Sequence, residues 1–99
     1  MQVSVLSGYV GSVSDPVTTT NSKVLNFTMA ENRKIKKGDE KVEELIWYNC
    51  SLWEKEAIYP YIKKGEKLTV RGRISTNLYL DKDGKPHANL LFNVDEVDL

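Results

Sequence analysis

The chain has one cysteine and one histidine in 99 residues. A single thiol excludes an intramolecular disulfide and suits a reducing compartment. Cys50 and His87 together cannot furnish a zinc set of the Cys/His type. No apolar run reaches the roughly 18 residues that a membrane-spanning helix needs. The opening MQVSVLSGYV has neither a basic segment nor a long apolar stretch, so no secretory leader is expected. No nucleophile elbow, phosphate-binding loop or dinucleotide fingerprint occurs. Acidic pairs such as Glu43-Glu44 sit in hydrophilic surroundings. These absences argue against an enzyme and against a resident cofactor or metal. Net charge is missing too, because Lys+Arg and Asp+Glu both number 14. That counts against a general polyanion binder, which is often basic, although the signs are segregated along the chain.

What is present centres on Glu44 to Trp53, ELIWYNCSLW. At strand period, Ile46, Tyr48, Cys50 and Leu52 share one side, and Leu45, Trp47, Asn49, Ser51 and Trp53 share the other. The first set is a core face. The second places polar residues between two tryptophans, which is unusual in a core and useful on a surface. Strand tryptophans are often simply buried. Left uncovered, the two indoles would be a platform for flat ligands such as nucleic-acid bases, at about 1–3 kcal/mol per stacked base.

The rest of the chain supplies further strands. Val3 to Val13 alternates loosely, with Val3, Val5 and Tyr9 on one face and Leu6 and Val10 on the other. Gly8 and Gly11 suggest a bend or bulge there, and Asp15-Pro16 marks a turn. Lys23 to Glu31 predicts a strand with Leu25, Phe27 and Met29 on one face and Val24 and Ala30 on the other. Asn32 to Glu43 has no apolar periodicity and carries Arg33, Lys34, Lys36, Lys37 and Lys41 around Gly38-Asp39. It reads as a long, mobile, basic hairpin loop. Charge runs are commonly just solvated surface, but a loop this long in a small domain tends to be functional.

Glu54 to Ile62 spaces Ala57, Ile58, Tyr61 and Ile62 for one face of a helix, which Pro60 keeps short or kinked. Glu66 to Leu80 alternates well. Leu68, Val70, Gly72, Ile74, Thr76, Leu78 and Leu80 face a core, and Thr69, Arg71, Arg73, Ser75, Asn77 and Tyr79 form a polar face. The turn at 81–86 begins like a calcium loop with Asp81, Asp83 and Gly84. Its twelfth position is Phe92 rather than Glu, which excludes that site. The last strand, His87 to Val97, turns Leu90, Phe92 and Val94 inward.

The order strand, strand, strand, short helix, strand, strand predicts an all-β chain folded as one domain over residues 1–99. It fits a five-stranded Greek-key OB-fold barrel with one short helix between the third and fourth strands. An SH3-like barrel or a small open sheet gives similar strings. The candidate site is a binding surface. Trp47, Trp53 and Tyr79 would stack on bases, with Asn49 on the same face. Arg71, Arg73, Lys55, Arg33, Lys34, Lys36 and Lys37 would neutralise phosphates. Stacking accepts any base, and phosphate contacts carry no sequence information. Such a surface would take single strands with little sequence preference and reject duplexes, whose bases are already stacked. RNA would fit as well, since stacking does not read the 2′-OH.

Five pieces in order, VSVLSGYVG with Asp15-Pro16, NFTMAEN, IWYNCSLWEKEA, YIKKGEKLTVRGRIS and YLDKDGKPHANLLFNVDEVDL, give the chain a further property. Over nearly its full length it resembles the bacterial single-stranded DNA-binding protein family. The resemblance implies an OB barrel and stacking aromatics at Trp47, Trp53 and Tyr79. Members of that family often carry another stacking aromatic in the loop between the second and third strands; the nearest position here is Ile35, so the basic loop would act mainly through its cations. The resemblance also implies work on single-stranded DNA in replication, recombination or repair, in the cytoplasm and on the nucleoid. Homo-oligomers, dimers or tetramers, would form through the first strand. Val3 to Val13 would be a long edge, and unpaired edges tend to be covered. Family members usually continue into a flexible tail with an acidic tip that recruits replication proteins. Here DEVDL falls in the last strand, so a short member without that tail, or a trimmed chain, is expected. A different reading keeps the barrel but makes it a protein-interaction adaptor of the primosome type, with the aromatic face docking a partner and nucleic acid secondary. The zero net charge favours that alternative.

Overall fold

The computed structural model describes residues 3–98 and, of these, every side chain except those of Ile35, His87 and Ala88. What the sequence suggested for the Ile35 position lies outside the described residues. The elements are β1 (Ser4–Val13), β2 (Val17–Thr18), β3 (Lys23–Lys37), β4 (Glu40–Trp53), a 3₁₀ helix (Glu56–Tyr61), β5 (Lys67–Leu80) and β6 (Pro86–Asp98). The chain is therefore mostly β, as expected, with five long strands and a two-residue β2 laid on β3.

The pairings run in a ring. β1 pairs antiparallel with β3 and with β5, β5 with β6, and β4 with β3, while β6 meets β4 in parallel. Alternation decides what lies inside. Tyr48, Cys50 and Leu52 of β4 are buried against Leu25, Phe27 and Met29 of β3, Val70 of β5 and Phe92 of β6. Ile46 and Leu90 pack on the same cluster from its rim. The inward faces read from β4 and β6 are thus the observed ones.

Four expectations need correction. First, β1 is not a long unpaired edge. β5 holds it along Ser4–Tyr9 and β3 holds it on the other side from Tyr9 to Val13. Second, the basic segment is not a loop. β3 and β4 stay paired from Val24↔Trp53 out to Lys37↔Glu40 and turn at Gly38, whose φ is 62°. The partners Arg33↔Glu44, Lys34↔Glu43 and Lys37↔Glu40 oppose charges across the arm, three favourable pairs against the single like pair Lys36↔Lys41. Among the described residues most side chains on both faces of the arm are exposed, so no apolar period is needed.

Third, the helix is a 3₁₀ turn. Three residues per turn put Tyr59 and Ile62, not Tyr61, against the core. Tyr59 and Ile62 are buried, whereas Tyr61 is exposed. The Tyr59 hydroxyl is 3.1 Å from both the Lys23 and the Leu52 carbonyl oxygens, to which it donates, pinning the turn to β3 and β4. Fourth, the core face of β5 ends at Gly72. Leu68 and Val70 are buried, but Ile74 is 44 %, Leu78 77 % and Leu80 70 % exposed, and Thr76 is exposed too. Pairing with β1 stops at Ser4↔Gly72, and beyond it β5 is paired with β6 alone. Alternation continues there with nothing opposite to bury it. The β3–β4 arm and this β5–β6 hairpin extend the molecule to 50 × 36 × 29 Å.

Burial pushes the Cys50 thiol up to about 12 from an ordinary 9.0. Burial also raises the Tyr59 phenol, helped by Glu56 and Glu54. A raised pKa favours the protonated native form. The stability it brings is complete below the unfolded value and declines as pH rises from about 9 towards about 12. Denaturant midpoints should therefore fall above pH 9, and Cys50→Ser should fall less over that interval. Thiol reagents at pH 8 should label the chain only after unfolding. Tyr59→Phe should cost about 1 kcal/mol in chemical denaturation.

Candidate nucleic-acid interface

Because the β3–β4 register has no break, each residue pair shares a face. The face opposite the core can be followed across neighbouring strands. One row is Tyr9, Ala30 and Trp47. The next is Ser12, Thr28, Asn49, Leu91 and Ser75, one from each of the five long strands. A third is Asn26, Ser51, Asn93 and Arg73, and a fourth is Val17, Val24 and Trp53. Two rows of hydroxyls and amides thus lie between two rows that end in indoles. Trp47 and Trp53 are six residues apart on one strand, roughly 20 Å.

Both indoles are uncovered, Trp47 at 53 % and Trp53 at 45 % exposure, as is Tyr79 at 45 %. Trp47 keeps a sheltered side. Ala30, flanked in its row by Tyr9 and Trp47, is buried although it faces outward. The polar floor is knit by a 2.8 Å contact between the Ser12 and Thr28 hydroxyls. The Ser51 hydroxyl donates to Asn26 Oδ1 at 2.9 Å. A shallow groove of about 300 Å³ runs over these residues, Asn49 and Leu91. Of this floor, sequence reasoning named Asn49 and Arg73 as site residues and placed Ser51 and Ser75 on outward faces. Asn26 and Thr28 come from a strand whose alternation was read correctly, whereas Ser12 shares the parity of Leu6 and Val10 and reaches the outer face only because Gly11 is an extra residue in the β1–β3 ladder. Which strand lies beside which is not encoded in that alternation.

The cations divide by parity. Lys34 and Lys36 fall on the Trp47 side of the arm, with Lys41 paired to Lys36 and Glu43 to Lys34. Arg33 and Lys37 fall on the other side, among Glu31, Glu44 and Glu40. Arg33 is 3.3 Å from Glu31 there. The four loop cations named from sequence are therefore two on the aromatic face and two behind it. Lys41 joins the aromatic face.

Arg73 lies in the floor beside Asn93. Arg71 shares its side of β5 and reaches Asp98 at 3.4 Å in an exposed pair. Lys55 donates to the Asp95 backbone carbonyl, which anchors it to β6. Tyr79 shares the polar side of β5 but sits far out on the hairpin, paired with His87. β4 and β6 are parallel and in register over Asn49–Leu52 and Leu91–Val94. Their preceding halves therefore leave the ring at the same end. Trp47 stands at the base of one projection and Tyr79 near the tip of the other.

A family model described as single-strand binding protein family matches residues 1–99. The single-stranded DNA-binding protein of Chlamydia pneumoniae is 30 % identical over 96 residues, covering 92 % of this chain and 56 % of that protein. That of Chlamydia caviae is 32 % identical over 95 residues, covering 91 % and 55 %. The chain spans about half the length of these curated relatives. Among solved structures, the small single-stranded DNA-binding protein from Streptomyces coelicolor superposes with a TM-score of 0.80 at 10 % identity, over 98 % of this chain and 92 % of that one. The Plasmodium falciparum SSB complex with ssDNA gives 0.75 at 20 % identity, over 99 % and 91 %. At such identities the structural likeness speaks for the fold alone.

The exposure of the indoles makes its own prediction. Acrylamide should quench native tryptophan emission to an intermediate degree, well above that of a buried indole and below that of the unfolded chain. A strongly protected native signal would mean that the rings are covered.

Proposed function

Since the chain belongs to the single-strand binding protein family, we propose that it binds single-stranded DNA without sequence preference and keeps strands unpaired during replication, recombination or repair. The observation that carries this reading is the pair of uncovered indoles on one polar wall, with lysines on the same side of the adjoining arm. Bases stack on Trp47 and Trp53, and a further one on Tyr79. Lys34, Lys36 and Lys41 neutralise phosphates along the arm, and Arg73 does so at the floor. Arg71 contributes by exchanging its exposed Asp98 partner for phosphate, since such pairs are worth little. Arg33 and Lys37, on the reverse side, contribute through long-range attraction only. Lys55 mainly braces the turn after β4, and Asn49 supplies a hydrogen-bonding edge between the stacked bases.

The ring of strand pairings is consistent with a Greek-key OB barrel, whose wall is suited to a single strand. With no net charge per chain, the attraction is local to the arm and the floor, and duplex is disfavoured because its bases are already stacked and hide their faces from the indoles. The exposed Val3, Val5 and Tyr9 side of β1 is the proposed contact between copies of the chain. No catalysis, cofactor or metal enters this reading, and the proposed setting is the cytoplasm, on the nucleoid.

Titration with oligo(dT) at low salt should quench the tryptophan emission, and binding should weaken as salt rises. Trp53→Ala should weaken binding by about 1–3 kcal/mol in a folded variant. Lys34→Ala, Lys36→Ala and Lys41→Ala should each reduce the salt slope by about 0.7, whereas Arg33→Ala and Lys37→Ala should change it much less. No quenching at low salt, or equal affinity for duplex, would reject the reading. A stoichiometric protein partner held independently of salt would favour the adaptor instead.

A further inference from the structure

The β1–β3 ladder contains one irregularity. Val10 pairs with Met29 and Ser12 with Thr28, so Gly11 is an extra residue with no partner opposite. This is a β-bulge, a feature that re-aims neighbouring groups. Gly11 lies directly under the Trp47 ring, across β3. A Cβ added there would overlap Trp47 Cζ3 outright and stand 2.9 Å from Cη2 and 3.0 Å from Thr28 Oγ1. The benzo edge of the indole therefore rests in the space left by the absent side chain, and the rest of the ring stays 53 % exposed as a residue.

We propose that Gly11 is a positioning residue for the binding surface: its bulge forms a seat that holds the Trp47 indole ready for a base. The inference rests on the reading of Trp47 as a stacking group. Two other close-packed glycines show why this one differs. A Cβ at Gly8 would overlap the Ala30 carbonyl oxygen, and one at Gly72 the Asn93 carbonyl oxygen. Backbone would have to move in both cases, so those glycines belong to the closure of the ring. At Gly11 the nearest atoms are the far end of a half-exposed side chain. Gly11 is also not among the glycines with positive φ, so alanine fits its backbone. The ring, not the fold, yields. A freed indole must then be ordered again when a base arrives, and that ordering costs affinity.

The test is a double-mutant cycle of Gly11→Ala and Trp47→Ala, read by the anisotropy of labelled oligo(dT), with thermal melting as a control. Gly11→Ala should fold and should lose about tenfold in affinity, within the range that loss of one base stack spans. In the Trp47→Ala background the same change should lose less than about twofold, because nothing remains to displace. In Trp53→Phe protein, whose emission comes from Trp47 alone, Gly11→Ala should shift the emission maximum and increase acrylamide quenching. Equal losses in both backgrounds, unchanged affinity with unchanged emission, or a Gly11→Ala chain that does not fold would each overturn the proposal. If the unaltered protein does not bind oligo(dT), the functional reading fails, and the Trp47 emission still decides whether Gly11 seats the ring.

Discussion

The β3–β4 ladder holds its register from the ring to the tip of the arm, and the other arrangements described here depend on that register. A slip of one residue would carry Trp47 and Trp53 inward and put Tyr48, Cys50 and Leu52 in water. Such a slip is opposed at both ends. At the inner end the buried apolar side chains favour one parity, and the Tyr59 hydroxyl is bonded to carbonyls of both strands. At the outer end the opposed charges of the arm and the turn at Gly38 favour the same parity. The wet face and the dry face of β4 therefore have one common cause.

That face is chemically divided. Its middle is neutral and hydrogen-bonding, its ends are aromatic, and its cations stand on the arm and at Arg73. A surface of this kind attracts a polyanion only over a short range, because the chain as a whole carries no net charge. In the proposed function the aromatic ends carry affinity and the lysines guide the backbone. The parity rule then matters for function as much as for folding. It separates Lys34, Lys36 and Lys41 from Arg33 and Lys37, although all five lie on one hairpin arm.

Much of this could be read from individual strands. The core face of β4, the outward indoles, the inward Phe92 and Val94, and the polar side of β5 follow from period two, which is a local property. The readings that failed had local patterns without local causes. The alternation of Ile74 to Leu80 looks like a core face, but burial needs an element opposite, and none of the described residues supplies one beyond Gly72. The lack of apolar period in Asn32 to Glu43 looks like a loop, but a ribbon solvated on both sides has no use for such a period. Tyr59 was overlooked because its position depends on three residues per turn, which Pro60 and the short span impose.

The sequence by itself determined which side chains of an unbroken strand share a face, because pleating alternates whatever the neighbours are. It also carried the motif order that places the chain in its family. Only the tertiary structure decided which outward residues meet. Ser12, Thr28, Asn49, Leu91 and Ser75 come from five strands, and their common row is a product of pairing. The same holds for Gly11 beneath Trp47. A bulge shifts register between two chain segments, so its consequences appear only when both segments are side by side.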